Sequence, residues 1–262
     1  MAHVLYTNEV IENKMTDLVN SNLDVNALFT RDDSLSTEAG LKKVINKYTY
    51  NAEVEELAKG AKNSDGAKGA VTFVGKEYDI KRFQQTFEYN DMEVMQDPYI
   101  LDVATTGAST LMANHMREQY INELRGTSNT HEYTVFNYDT VVDALAELGR
   151  EVESDLFLVM GTDLRAAIRK DADYKSSKQG EILYTGQFGD ISGVPCLFSK
   201  LCAEGEAFIT SKDQVKLFVK KDGSVEQDRD IETKDNTVVY DRYGVMALVD
   251  ETKTIKFVKQ GA

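Results

Sequence analysis

The period of the apolar positions changes along the chain, and each change marks an element. Over residues 97–126, DPYILDVATTGASTLMANHMREQYINELRG, the residues Ile100, Val103, Gly107, Leu111, Tyr120, Ile121 and Leu124 recur at roughly helical spacing. Asp97 is placed to cap this helix, Pro98 suits its first turn, and Gly126 stands where a left-handed residue would close it. A helix of that span is about 40 Å long at 1.5 Å per residue. Its middle, 104–110, holds only small residues, so a second backbone can approach closely there. Pattern alone is equally satisfied by a long core helix in an ordinary α+β domain.

Upstream, residues 1–47 read as an arm. Val10, Ile11, Met15, Leu18 and Val19 form one short apolar stripe, followed by the turn-rich SNLDVNALFTRDDSLSTEAG. Residues 48–83 read as a long β-hairpin. Tyr48, Tyr50, Ala52 and Val54 alternate with polar residues; a return limb begins at Val71 and Phe73, and its parity then switches to Tyr78 and Ile80. Gly75 lies between the two registers, which suggests a β-bulge there. The limbs extend roughly 30 Å, and a two-stranded hairpin alone is marginal in water, so such an arm must rest on something else. Its tip, 58–70, holds Lys59, Lys62 and Lys68 against Asp65, with Asp65-Gly66 as the turn signal. That is complementary to an acidic body on another copy, and equally fits a solvated loop. The glycines lack the spacing of a phosphate-binding loop.

Downstream, 137–149 reads as a helix with Val141, Val142, Leu145 and Leu148 on one face and Gly149 as its stop. LFLVM (156–160) reads as a buried strand, and Thr162 as the cap of a third helix. A polar loop over 171–180 and a glycine-punctuated extended passage ending at Val194-Pro195 follow. The remainder is β-rich: 206–210 and 215–219 are strands, Asp222-Gly223 a hairpin turn, and 237–249 and 254–258 closing strands. The segment 226–236, EQDRDIETKDN, reads either as a polar loop or as a strand whose partners lie outside the core.

Composition narrows the function. With 44 acidic and 30 basic residues the net charge is −14, which argues against general nucleic-acid binding. No apolar run approaches the ~20 residues needed to span a bilayer, and the polar N-terminus does not read as a secretory signal, so a cytosolic origin is expected. Cys196 and Cys202, spaced C-x5-C, fit neither a redox pair nor a zinc half-site. The histidines, His3, His115 and His131, are dispersed, and no hydrolase, metalloprotease, dinucleotide or calcium motif occurs. Asp163 reads as a first-turn helix residue facing the dipole. No catalytic residue, cofactor or metal is expected, and the chain does not read as an enzyme.

In their order, these parts resemble the major capsid protein of tailed bacteriophages. The likeness rests on DDSLSTEAG (32–40), LAKGAKNSDGAKGAVTF (57–73), MQDPYILDVATTGASTLM (95–112), GDISGVPCLFS (189–199) and EQDRDIETKDNTVVYDRYGVMALVD (226–250). It covers nearly the whole chain through order and spacing rather than one specific motif. The resemblance implies an α+β fold of the Hong-Kong-97 type. It assigns 1–47 to an N-terminal arm and 48–83 to an extended loop laid over a neighbour. Residues 84–136 and 218–250 become a peripheral domain with spine helix 97–126, and 137–217 and 251–262 an axial domain. It further implies self-assembly through hexamers and pentamers into an icosahedral shell enclosing viral DNA, in a virion assembled in the host cytoplasm. Inter-subunit contacts are then expected at the loop tip (Lys59, Lys62, Asp65, Gly66, Lys68) and on the peripheral strand (Glu226, Asp228, Arg229, Asp230, Glu232). Only about 30 to 47 residues precede the hairpin, too few for the long scaffolding region of some relatives, so a separate scaffolding protein and a portal are expected as partners, and no membrane. An encapsulin-type compartment shares this fold and size; a soluble enzyme using a cleft beside Cys196, or a phage tail or adaptor protein, fits the residues less well.

Overall fold

The computed structural model describes residues 8–24, 28–65, 67–149, 155–172 and 189–260. Gly66, His3 and most of the polar loop expected at 171–180 lie outside the described residues.

One sheet carries the spine. Strands β1 (Thr30–Asp32), β10 (Val215–Arg229), β11 (Asp235–Leu248) and β4 (Lys81–Asn90) lie in the order β1-β10-β11-β4. Strands β10 and β11 form a long antiparallel hairpin, and β4 adds antiparallel to β11. Even-numbered residues of β11, among them Val238, Tyr240, Met246 and Leu248, face helices α1 (Asn8–Asp24) and α3 (Ile100–Arg125). Helix α1 contributes Ile11, Met15, Val19 and Leu23, an i, i+4 ladder that is fully buried. Burying such side chains stabilises by about 1.5–3 kcal/mol each, which fixes the arm to the body.

Helix α3 departs from expectation at both ends and on one face. Asn90 caps a short preceding helix, α2 (Asp91–Gln96), in a capping box with Glu93. Asp97 is not the cap of α3 but turns the chain, its carboxylate accepting from the Tyr99 N–H at 2.9 Å, and the helix begins at Ile100. Gly126 ends it at φ −78°, in right-handed backbone. The buried face is Thr105, Ala108, Ser109, Met112, Ala113 and Met116, whereas Val103 and Leu111 are exposed. Small residues line the buried side because α1 and the sheet approach the helix closely, and hydropathy does not register them.

Two further corrections concern glycines. Asp222-Gly223 is no turn: β10 runs through it, with register shifts between Val219, Lys221 and Ser224. A Cβ on Gly223 would lie 2.2 Å from Thr16 Oγ1 and 2.5 Å from the Tyr240 ring, so glycine is there to let α1 approach the strand. The turn instead falls between β10 and β11, so 226–229 is strand and 230–234 loop. Gly75 forms no bulge, since β2 (Lys42–Asn51) and β3 (Ala70–Asp79) pair in unbroken register from Lys42↔Asp79 to Asn51↔Ala70.

The second body is a six-stranded sheet in the order β5-β12-β9-β6-β8-β7, built from β5 (Thr130–Tyr133), β6 (Leu156–Met160), β7 (Asp190–Ile191), β8 (Val194–Phe198), β9 (Ala207–Ser211) and β12 (Ile255–Lys259). All five residues of β6 are buried, as a central strand should be. Helices α4 (Tyr138–Leu148) and α5 (Thr162–Lys170) pack on it. Asn137 and Thr140 form the α4 capping box, and Gly149 closes the helix at φ +58°, the left-handed conformation in which glycine carries no Cβ penalty. For α5 the cap position is Gly161, and Thr162 is the first helical residue. Arg125, in the last turn of α3, joins the two bodies: it grips Glu206 with two hydrogen bonds of 2.7 Å.

Candidate inter-subunit surfaces

Exposed large apolar side chains are concentrated rather than scattered. One group lies on the β2–β3 hairpin and another on α2 and the first half of α3, at Met92, Met95, Tyr99, Val103 and Leu111. Such concentrations on a folded body mark interaction surfaces.

The hairpin has two unlike faces. Lys43, Ile45 and Tyr78 face the body; Tyr78 is buried and its hydroxyl donates to the Leu248 carbonyl at 3.0 Å. With Leu35, Phe218, Val245 and Ala247 it forms a small core on the side of the sheet opposite the helices. On the other face Tyr48 stands across from Phe73 with ring centroids 6.1 Å apart, and Tyr50 across from Val71. At the tip Lys59 and Lys62 are exposed, and Asp65 pairs with Lys68. Glu55 folds back so that its carboxylate accepts from the Ser64 hydroxyl and from the Ser64 N–H at 2.8 Å, bonds that hold its pKa below the usual carboxylate range. Glu55 thus places a negative charge among the tip lysines, a group the expected basic finger omitted.

The peripheral-strand residues divide. Glu226 and Asp228 project from the face of β10 away from the helices, in rows with Val239 and Thr86 and with Thr237 and Glu88. Asp235 extends this carboxylate-lined face, which is the same side on which the hairpin base packs. Arg229 points to the other side and pairs with Asp91 of α2. Asp230 accepts from the N–H groups of Glu232 and Thr233, which lowers its pKa and pins the turn; Glu232 stays exposed. Reading the charged run as one surface missed Glu88, which only the strand register brings beside it, and left Asp235, a member of the run, out of the expected contacts.

Neither cysteine forms a disulfide; Cys196 is buried, and burial pushes the Cys202 thiol up to about 12, against ordinary thiol activation. Among the described residues no group of His, Cys, Asp and Glu is placed to hold a metal ion. No described helix is long and apolar enough to cross a membrane.

A helical spine crossing a long β-hairpin sheet, an extended two-stranded arm and a separate α/β lobe together make the Hong-Kong-97 type capsid fold. Along its length the sequence is similar to the major capsid protein of Staphylococcus phage phiMR11, at 21% identity over 97% of this chain and 94% of that protein. The capsid structure of cyanophage P-SCSP1u superposes with a TM-score of 0.71 at 9% identity, over 90% of this chain and 87% of that one. A virus-like particle from Pyrococcus furiosus superposes with a TM-score of 0.60 at 14% identity, over 95% and 98%. No protein-family model matches the sequence.

Proposed function

We propose that this chain is a major capsid subunit, a structural and non-enzymatic protein whose copies associate into the shell of a virion. The observation that carries the reading is the whole-length likeness to a phage major capsid protein, together with a fold whose β2–β3 hairpin leaves Tyr48, Tyr50, Val71 and Phe73 exposed beyond its packed base. In this reading the arm 1–47, extended loop 48–83, peripheral domain (84–136 and 218–250) and axial domain (137–217 and 251–262) take the roles their positions suggest. Hexamers and pentamers close an icosahedral shell around DNA, with a separate scaffolding protein and a portal, in the host cytoplasm. Many modest interfaces per subunit sum to a closed assembly while each stays weak enough to correct. The acidic subunit suits a container that holds nucleic acid without gripping it.

An encapsulin-type compartment is the second reading, favoured by the superposition on the Pyrococcus particle. Sedimentation velocity of the protein produced with its neighbouring genes, recorded at 260 and 280 nm, separates the possibilities. Large particles carrying nucleic acid support the capsid, and large particles with protein absorbance alone support the compartment or an empty shell. A slow monomer at every concentration overturns both.

A further inference from the structure

A crevice of about 430 Å³ lies where the spine meets the second body. Its wall on α3 is Asn114, Arg117, Tyr120 and Ile121, at i, i+3, i+6 and i+7 and so on one helical face. Across from them stand Val159 of β6 and Leu197 of β8, paired in register, with Leu201 beyond; Leu28, just before β1, completes the apolar lining. We propose that this crevice binds a free medium-chain carboxylic acid, its carboxylate toward Arg117 and Lys200 and its chain on the apolar side. The proposal goes beyond the capsid reading and does not depend on it.

Charge selects the head group. Arg31, Arg82, Arg125, Arg229 and Arg242 each meet a carboxylate. Arg117 instead donates to the Asn114 side-chain oxygen at 3.2 Å and to the Asn22 carbonyl, both neutral, and its Nε is buried without an acceptor. Lys200 is exposed, and among the described residues neither cation has a counter-ion. The chain as a whole stands at −14, yet no carboxylate lines this crevice. Two uncompensated cations in one recess draw an anion and turn away a cation.

The apolar side selects the tail. Ile121 and Val159 are almost fully buried, and Leu197 and Leu201 pack half-buried against the same core, so a small hydrated anion would leave this side without a partner. Tyr120 is fully buried and its hydroxyl also lacks a hydrogen-bond partner. Arg117 and Tyr120 thus hold two orphan donors one turn apart on the same wall, and a guest bearing two acceptor oxygens satisfies them after a small rotation of each side chain. The volume falls within the range of about 300–1,000 Å³ typical of small-ligand sites, which favour junctions between bodies, as here.

Isothermal titration calorimetry of the unassembled subunit with decanoate tests this, against decanol and decyltrimethylammonium, which share the tail; circular dichroism checks the folding of each variant. Decanoate should bind one site per chain, with both comparison compounds about tenfold or more weaker. At a hundredfold excess over Kd it should raise Tm by roughly 5–10 °C. Arg117→Gln and Lys200→Glu should each weaken decanoate at least fivefold and leave decanol within about twofold; Lys200 is exposed, so its variant serves if Arg117→Gln loosens α1. Ser199→Trp, which fills the crevice from a half-buried position, should abolish binding. Tyr48→Ser/Phe73→Ser, on the exposed hairpin, should leave it unchanged. Decanoate bound no more tightly than decanol overturns the head-group assignment. Binding that survives Ser199→Trp, or is lost through the hairpin pair, overturns the site.

Discussion

Removing Asp222 should cost more than removing the arginine it serves, although both substitutions delete the same ion pair. Arg242, on β11, is fully buried, and its guanidinium meets Asp222 at 2.9 Å and Asn20 of α1 at 3.1 Å. Asp222 is about one-third exposed and also receives Arg31 at 2.8 Å. The irregular stretch of β10 is what brings it beneath Arg242. Burial pulls the Arg242 pKa below its ordinary value, with Asp222 opposing, so the charged form is held at a cost. Asp222→Ala leaves that charge in the core without its counter-ion, with Asn20 as its hydrogen-bond partner. Breaking a buried pair in this way costs about 3–5 kcal/mol. Arg242→Met removes the charge and its desolvation together and leaves Asp222 partly in water beside Arg31. Because the carboxylate left behind is partly exposed and still paired, the loss is that of a solvent-screened ion pair plus some packing, about 0–2 kcal/mol. At about 2–4 °C per kcal/mol for a chain near this size, Asp222→Ala should lower Tm by roughly 6–20 °C and Arg242→Met by at most about 8 °C. The double variant should be more stable than Asp222→Ala alone. Thermal and urea unfolding of the unassembled subunit measure this, and hydrogen exchange over 8–24 should rise first, because the cluster ties α1 down. Arg242→Met as costly as Asp222→Ala, with no rescue in the double variant, would refute the reasoning.

Three other outcomes follow from single groups. Burial pushes the Glu206 carboxyl up, but the Arg125 hydrogen bonds and the Ala203 N–H outweigh it, and the net pKa is below the ordinary 4.5. Its stabilisation is therefore full above about 4.5 and lost as pH falls through the lower folded value, so Glu206→Gln should flatten the acid limb of the stability profile; an unchanged limb counts against the bridge. Glu123 goes the other way, raised by burial against Lys76 and Lys81. Its contribution is greatest below 4.5 and is lost as pH rises through the folded value, so Glu123→Gln should raise Tm at pH 8 and not at pH 4. Cys202, with its thiol pushed up to about 12, should react with disulfide reagents at pH 8 far more slowly than free cysteine, and a rate matching free cysteine would mean that its site opens.

What the sequence makes legible is what is encoded locally. Helix α4 announces itself, since Asn137 and Gly149 bound thirteen residues and each acts on its own turn, although Val142, expected on the apolar face, is exposed and Ala144 is buried in its place. The central strand β6 is equally plain, because a strand buried on both faces has no polar position to confuse it. The spine helix is legible as a helix but not in its facing. Val103 and Leu111 look like core and are exposed, while Thr105, Ala108 and Ser109 are buried because α1 comes close. Gly223 was open to the same error: a turn and a close approach both call for glycine, and only the tertiary partner, Thr16, tells them apart. Of the charged surface, Glu226, Asp228 and Asp235 are visible in one run, whereas Glu88 joins them only through the register of a strand far away in sequence.

The hairpin's change of parity carries more meaning than a bulge would. In a ribbon covered on one face, apolar residues keep one parity from end to end. Here Val71 and Phe73 share one face, and Tyr78 lies on the other, although the register never slips. Near its base the ribbon buries the Tyr78 side against Phe218 and Val245 of its own sheet. Toward its tip it turns apolar on the opposite side, where its own chain covers neither Tyr48 nor Phe73. Gly75 sits at the crossover, paired with Asn46, where neither face needs a large side chain. A strand pattern that changes face without changing register is what two different supporting bodies would impose. The first body is this chain, and the capsid reading makes the second another copy of it.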